Sequence, residues 1–429
     1  MVWTVLGLSM GGFVLTGATL GAALGLAGFL ILQVFGGGAT QQGVTAVWNI
    51  FTEYTLTSVP LFILLGEILV ASGLSRGVYH AMAPLFGRLP GGLLHTNIAV
   101  CTVFGAVSGS SMSVAAAVGS VAYPELKQRG YQRAAIVGSL AGGGTLGLLI
   151  PPSLSLLIFG ALTDTSIGRL FLAGVIPGLM VAALFMVWIV IAAKRNPSIA
   201  PQEEKVPLGA ALTGLWRIWP LLVLIFAVLG SLFAGLATPT EAAGVGVLAA
   251  AILGFVMGDL TVRKLIDSLV ATAITFGVIA VVFMGAVVLA QSIQLLGLPQ
   301  QLVQGLSAYG ISRYVMLALI VLLYLVLGCF FDGLSMMIMT LPIVFPLMTA
   351  LGFDPIWLGV IVTIMIEVGM LTPPVGMNLF VLVGITNREV TLEEAAKAAV
   401  PYWLVLLLSV VILTMFPGIA TWLPSMSFG

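Results

Sequence analysis

The chain reads as long apolar runs separated by short polar breaks. Uninterrupted blocks lie at about 4–34, 48–73, 170–193, 216–236, 239–258, 268–296 and 398–423. Four further blocks are broken inside. The block 93–124 contains Ser108-Gly-Ser-Ser-Met-Ser113, and 134–162 contains Gly142-Gly-Gly-Thr-Leu-Gly147 and Pro151-Pro152. The block 314–350 is broken at Phe331-Asp332-Gly333, and 356–385 at Gly369 and Pro373-Pro374. About 20 apolar residues span a bilayer as a helix, so the plain blocks predict transmembrane helices. Within lipid every backbone polar group must be satisfied internally, so a broken helix survives there only inside protein or beside a water-lined cavity. The pattern therefore predicts re-entrant hairpins at 93–124 and 314–350 and two broken helices that cross at the Pro-Pro steps. Only Lys194 to Lys205 is polar enough to be a linker.

Composition supports this reading. Of 429 residues 60% are hydrophobic and 7% are charged, against about a quarter charged in a soluble domain. Lys plus Arg and Asp plus Glu are 15 each, which leaves no basic surface for nucleic acid. Cys101 and Cys329 both fall in apolar segments and read as small buried hydrophobes. The apolar stretch Trp3 to Val34 is too long for a signal-peptide core and predicts a retained span. His80 is placed in a solvated loop and His95 at the start of the first hairpin, neither with zinc-ligand company.

Charge orients the chain. With returning hairpins and crossing broken helices, one face holds Arg76, Arg88, Lys127, Arg129, Arg133, Lys194, Arg195, Lys205, Arg217, Arg263, Lys264, Arg388 and Lys397; the other holds only Arg169 and Arg313. Positive loops stay inside, so the first face is expected to be cytoplasmic. The chain then starts inside, crosses nine times and ends outside. Sliding it along itself by about 222 residues sets Gly147-Leu-Leu-Ile-Pro-Pro152 on Gly369-Met-Leu-Thr-Pro-Pro374, Pro124 on Pro346 and Gly130 on Gly352. A two-residue gap sets Ser108-Gly109 on Asp332-Gly333. The halves, roughly 1–193 and 239–424, are joined by the extra helix 216–236, and five crossings per offset make the second half inverted. Paired interrupted helices in inverted halves point to the binding site of a secondary transporter.

Freed carbonyls and hydroxyls at such breaks suit Na⁺, and exposed helix N-termini suit a carboxylate. Hydroxyls come from Ser108, Ser110, Ser111 and Ser113 at the first tip, from Thr145 and Ser153 or Ser155 at the first broken helix, and from Thr372 at the second, with Asn378 beyond. Ionisable groups at membrane depth are costly and usually functional. Asp332 reads as a substrate or cation contact, or only as a helix cap. Glu367 reads as a buttress of a hairpin or cation site, and Glu67 and Glu241 as scaffold. Gly17, Gly21 and Gly25 form a small-residue packing stripe, and Arg217 between Trp216 and Trp219 an interfacial anchor.

Five phrases in the same order then carry a resemblance over nearly the whole chain: Gly105-Ala-Val-Ser-Gly-Ser-Ser111, the run Gly142 to Pro152, Leu170-Phe-Leu-Ala-Gly-Val-Ile-Pro-Gly178, Thr238-Pro-Thr-Glu-Ala-Ala243 and Leu371-Thr-Pro-Pro-Val-Gly-Met-Asn378. Together they resemble the large membrane (M) subunit of tripartite ATP-independent periplasmic (TRAP) transporters in its unfused form. The resemblance implies an all-α polytopic membrane protein, an inverted repeat with two re-entrant hairpins and two broken helices, working as an elevator. It implies a Na⁺-coupled importer of organic acids such as C4-dicarboxylates, sialic acid or keto acids in the bacterial or archaeal inner membrane. The partners implied are a small four-helix Q subunit and a periplasmic substrate-binding protein (the P subunit). By similarity one Na⁺ lies near Ser108, Gly109, Gly144 and Thr145 and another near Gly328, Gly333, Gly369 and Thr372, with substrate on Ser110, Ser111, Ser155 and Asp332. The expected division is scaffold at 1–90, hairpin 1 and broken helix 1 as transport domain at 91–165, scaffold helix and linker at 166–215, connecting and scaffold helices at 216–310, hairpin 2 and broken helix 2 at 311–388, and a C-terminal scaffold helix at 389–429. A single-component Na⁺/dicarboxylate symporter shares the plan. An intramembrane serine hydrolase at 108–113 would need a base within reach of its nucleophile, and His95 stands roughly 20 Å away at helical rise.

Overall fold

The computed structural model describes residues 2–427 apart from 202, 204–206, 208, 210–213, 215 and 309–311. Lys205 lies outside the described residues, as does the side chain of Arg217. Every regular element described is helical. The first half runs α1 (Val2–Leu15), α2 (Leu20–Val34), α3 (Thr40–Phe51), α4 (Ser58–Ser72), α5 (Leu74–Phe86), α6 (Leu93–Ser108), α7 (Ser111–Gln128), α8 (Arg133–Leu149), α9 (Leu154–Thr163) and α10 (Ile167–Arg195). After α11 (Trp219–Phe233) come α12 (Pro239–Met257), α13 (Val262–Leu295), α14 (Leu298–Ala308), α15 (Arg313–Gly328), α16 (Gly333–Ala350), α17 (Pro355–Leu371), α18 (Met377–Ile385), α19 (Leu392–Met415) and α20 (Gly418–Ser427).

The helices start where side-chain oxygens can serve their orphan N–H groups. Ser110, Ser153, Ser166, Thr238, Thr261, Ser312, Asp332, Asp354 and Thr391 each accept from the first turn of the helix they open. Thr238 and Thr391 form full capping boxes with Glu241 and Glu394. Glu241 is thus a structural residue, as read from its place at a span entry.

An offset of 222 residues carries Ser111–Gln128 onto Gly333–Ala350 and Arg133–Leu149 onto Pro355–Leu371 with no gap. The two-residue gap drawn in the sequence comparison is therefore corrected: Ser110, not Ser108, is the counterpart of Asp332, because both cap the second helix of their hairpin. The second tip is longer because α15 ends at Gly328.

Contacts at the helix ends fix the topology. Leu93 at the start of hairpin 1 donates to the Tyr131 hydroxyl just past its end (2.9 Å), so the hairpin returns to the side it entered. Arg313 at the start of hairpin 2 lies 5.6 Å from the Phe353 ring just past its end, so this hairpin returns as well. By length and composition seven segments among the described residues could cross a membrane, Gly333–Ala350 among them, but this return makes α16 a hairpin arm. The ends of α7 and α18 meet through Lys127 and Glu389 (2.6 Å). The ends of α9 and α16 meet around a cavity of about 1060 Å³ lined by Thr163, Asp164, Pro346 and Thr349. The 222-residue offset exchanges these two ends, which is what an inverted repeat requires.

Four expectations change. The block 4–34 is two helices, because Gly17 adopts a left-handed turn (φ 80°) between them. The block 48–73 divides into α3 and α4 at a 3₁₀ turn, Tyr54–Thr57. His80 lies not in a loop but on α5, whose Val78, Tyr79, Ala81 and Met82 are buried while His80 faces out; so few apolar residues give no spanning signal. Pro417 separates α19 from α20, since the residue before proline leaves the α region.

Packing is reciprocal between the halves. Gly21, Gly25 and Gly28 of α2 seat against α13, where Gly285 has no room for a Cβ against Gly21. The counterpart pair, α12 on α4, meets through Gly246 and Leu65. Gly17 takes no part in this stripe. The joined α8–α9 unit lies inside this frame. Its apolar window is 94% buried, against 33% for Ile167–Arg195 and Leu392–Met415. A broken helix needs that enclosure, because its freed backbone groups have no water to bind. Cys101 is buried, Cys329 is half-buried, and both are free thiols.

The basic end carries a clasp across 262 residues of sequence, in which Lys127 and Tyr123 donate to Glu389 (2.6 and 3.2 Å) and Arg133 stands 3.9 Å away. Hydrogen bonding from Lys127 holds the Glu389 carboxyl below the usual carboxylate range. A depressed carboxylate stabilises the fold above its unfolded pKa, about 4.3, and loses that contribution as pH falls through the folded value. Thermal unfolding of the wild type is expected to drop on acidification below that range, and Glu389→Gln to flatten the drop. Identical acid profiles for the two would show that the clasp carries no stability.

Candidate substrate and ion site

Hairpin 1 closes on the first break. Gly109 turns the chain in the left-handed region (φ 62°), and its carbonyl accepts from Leu154 N beyond the Pro-Pro step (3.3 Å). A Cβ on Gly109 would stand 2.9 Å from Pro152 O, and one on Gly147 2.8 Å from Ser110 O. Backbone approach this close requires glycine. Ser111 Oγ lies 3.1 Å from Gly144 O. Ser110 caps α7, and its Oγ accepts from Ser113 N (3.4 Å). Past the prolines Ser153 caps α9 and Ser155 Oγ lies 3.0 Å from Leu148 O. Ser108, Ser111, Thr145, Ser153 and Ser155 are all buried. Thr145 Oγ1 donates to Gly142 O of its own helix (2.6 Å) and keeps its lone pairs.

The second break repeats the plan with different chemistry. Gly328 of hairpin 2 packs on Gly369, each closing the space a Cβ would need on the other, and Gly333 packs on Ile366 and Met370. Asp332 accepts from Ser335 N (3.0 Å), which uses one carboxylate oxygen as a cap. Thr372 Oγ1 donates to Val368 O (2.6 Å). Pro373 and Pro374 are exposed, whereas Pro151 and Pro152 are buried. Both Pro-Pro bonds are cis. Asn378, two residues into α18, is buried with both amide atoms unpartnered, and Glu367 Oε1 is also unpartnered.

The structure joins the halves through Glu367, read from sequence as a hairpin buttress, and through Thr363, to which no motif pointed. Glu367 Oε2 accepts from Ser111 Oγ (2.8 Å), and Thr363 Oγ1 lies 3.1 Å from Ser155 Oγ. Thr363 and Glu367 are four apart and share a face of α17. That spacing was the available signal, and Thr363 had no break beside it to draw notice. Ser108, Gly109, Ser110, Ser111, Gly144 and Ser155 gather at the first break, with Thr145 on the adjoining turn. Gly328, Gly333 and Gly369 gather at the second. Asp332 and Thr372 each bond within their own segment. Gly66 of α4 presses on the first tip, a Cβ there lying 2.6 Å from Ser108 O, which places half-buried Glu67 beside the tip and outside both breaks.

The donors at both breaks are backbone carbonyls and hydroxyls, hard oxygens that fit Na⁺. A family model described as "Tripartite ATP-independent periplasmic transporter, DctM component" matches residues 8–419. The chain belongs to this family. It is 32% identical over 406 residues to the C4-dicarboxylate TRAP transporter large permease protein DctM of Pseudomonas aeruginosa, covering 94% of each chain. It is 31% identical over 397 residues to the sialic acid TRAP transporter large permease protein SiaM of Vibrio cholerae, covering 91% of this chain and 90% of that one. The crystal structure of the Alcanivorax borkumensis YdaH transporter has the same fold, with a TM-score of 0.63 at 18% identity over 92% of this chain and 90% of that one.

This DctM-family chain is the large permease subunit of a TRAP transporter, a multi-pass membrane protein and not an enzyme. That family assignment sets aside the hydrolase alternative. His95 Nε2 pairs with Pro90 O (2.9 Å), while the partners of Ser111 are Gly144 O and Glu367.

Proposed function

We propose that this permease imports organic acids by Na⁺ symport, taking substrate from a periplasmic binding protein and assembling with a small membrane subunit in the bacterial inner membrane. The observation that carries the reading is the pairing of the two breaks. In oppositely oriented halves, the first seats a hairpin tip against a glycine-lined helix and its Pro-Pro step, and the second seats a hairpin on Gly369, just before its Pro-Pro step. Na⁺ held on carbonyl and hydroxyl oxygens at each break gives the region net positive charge. The helix N-termini opened by Ser110, Ser153 and Asp332 add N–H groups and positive dipole ends. A carboxylate bound there is stabilised only while the cations stay, which makes affinity for the two reciprocal. Ser110, Ser111, Ser155 and Asp332 are the proposed substrate contacts. Ser108, Gly109, Gly144 and Thr145 serve one Na⁺, and Gly328, Gly333, Gly369 and Thr372 the other. That relatives are named for C4-dicarboxylate, sialic acid, ectoine and isethionate supports an acidic group, carboxylate or sulfonate, as the shared feature.

Transport then follows an elevator movement. Residues 91–165 and 311–388 move as one body against the α2–α13 and α4–α12 pairs. The cavity between α3, α13, α9 and α16 lies on that seam and gives the moving body room. The basic end carrying Lys127, Arg129, Arg133 and Lys397 is the cytoplasmic one by charge, with the N-terminus inside and the C-terminus outside.

The test is uptake in proteoliposomes of the chain with the small subunit and binding protein encoded beside it. A labelled dicarboxylate, sialic acid or keto acid is supplied with and without an inward Na⁺ gradient. Accumulation that needs both Na⁺ and the binding protein is the expected result. Na⁺-driven uptake by the chain alone would remove the partner claims, and uptake indifferent to Na⁺ would remove the coupling.

A further inference from the structure

The two breaks are not separate sites. Helix α17 ends at the second break, yet before its end it reaches the first break twice. Thr363 Oγ1 is 3.1 Å from Ser155 Oγ, beyond the first Pro-Pro step. Glu367 Oε2 is 2.8 Å from Ser111 Oγ, the first helical residue past the hairpin 1 tip. Ser111 Oγ also lies 3.1 Å from Gly144 O, so Glu367, hairpin 1 and α8 meet at one hydroxyl. All four side chains are buried. Two residues beyond Glu367, Gly369 lies in backbone contact with Gly328 of hairpin 2. In the first half the 222-residue offset puts Thr145 at this position, where it only bonds its own helix. Glu367 thus does something its repeat partner does not.

We infer that Glu367 is a positioning residue that couples the two ion sites of the proposed symport cycle, by tying the seated hairpin 1 tip to the segment of α17 on which hairpin 2 closes. The inference rests on the Na⁺-symport reading. A contiguous link of this kind acts as a coupling element only if its loss changes the dependence of one site on the other. Ordering of the first break by a cation fixes Ser111. Through the short bond to Glu367 it also fixes the last turn of α17, where Gly369 receives Gly328. The second site then binds its cation without bearing the whole ordering cost alone. The expected signature is Na⁺ cooperativity that depends on the Ser111–Glu367 bond, with Thr363–Ser155 as a weaker second tie.

The experiment is a Na⁺ titration of initial uptake at saturating substrate, in proteoliposomes of the full assembly. The wild type is expected to give a Hill coefficient above one. Glu367→Ala should bring it close to one and raise half-saturating Na⁺ by about tenfold, a coupling of typical size. Glu367→Gln keeps an acceptor for Ser111 and should retain the cooperativity. Thr363→Val, which keeps the shape and removes the hydroxyl, should give an intermediate Hill coefficient and guards against an alanine variant that fails to assemble. A purely structural role would lower the amount of active protein in both Glu367 variants without moving the Hill coefficient. Undiminished cooperativity in Glu367→Ala, or in Thr363→Val where the alanine variant does not assemble, overturns the inference, as does its loss in Glu367→Gln. Wild-type uptake indifferent to Na⁺ sinks the symport reading and this inference together, so the two failures are told apart by the wild type.

Discussion

Valine in place of Gly369 is expected to cut uptake severely while Gly384→Ala, fifteen residues along on α18, leaves it unchanged. Gly369 and Gly328 touch backbone to backbone, and a Cβ on either enters the space of the other. The nearest obstructing atoms are backbone, which cannot swing aside as a side chain can. Hairpin 2 must move off α17 or the end of α17 must bend. Overpacking of this kind costs about 1–3 kcal/mol, and if it falls on the seated hairpin the closed site loses roughly five- to 150-fold in population. Gly369→Ala should show the same defect in milder form. A Cβ on Gly384 would meet nothing within 4 Å, and an added methyl in a helix stabilises by up to about 1 kcal/mol. Initial uptake rates, normalised to protein in the membrane, decide the matter. Wild-type rates in Gly369→Val would show that closure of hairpin 2 on α17 is not part of transport.

Asp332→Asn is expected to lower uptake by about tenfold or more with stability little changed, and Asp332→Ala to add a stability loss. The carboxylate caps α16 through Ser335 N and leaves its other oxygen for substrate or cation. Asparagine caps as well as aspartate, whereas alanine costs about 1 kcal/mol. The amide therefore removes charge while the helix end stays satisfied. A hydrogen bond to a charged group is worth about 1.5–3 kcal/mol, which sets the tenfold scale. Uptake kinetics and thermal unfolding read on the same preparation separate the two roles. If Asp332→Asn transports like the wild type and only Asp332→Ala is impaired, Asp332 is a cap and nothing more.

The membrane class, the hairpins, the broken helices and the repeat were legible in the sequence because lipid makes interruptions conspicuous. An apolar run holding Pro151-Pro152 or Phe331-Asp332-Gly333 has few structural solutions, so local pattern alone predicts where the backbone must be sheltered. The offset of the halves was visible for the same reason, since glycines and prolines at breaks tolerate little else. The amphipathic α5 was not legible. Its exposed His80 and Arg76 look like loop residues until Tyr79 and Val78 are seen buried beneath them.

What only the tertiary structure decided is which break residues meet, and across which half. Ser110 rather than Ser108 matches Asp332, because cap geometry and not residue order defines the tip. Thr145 looked equal to the other hydroxyls and is bonded within its own helix. Ser111 finds Glu367, 256 residues away, and Ser155 finds Thr363, 208 residues away. The four-residue spacing of Thr363 and Glu367 marks a shared helix face, but nothing local names the partners it meets. The sequence determines where a helix must break, since that depends on each residue's own backbone and hydrogen-bonding needs. Which side chains then face one another depends on how two inverted halves pack, and only the folded chain sets that.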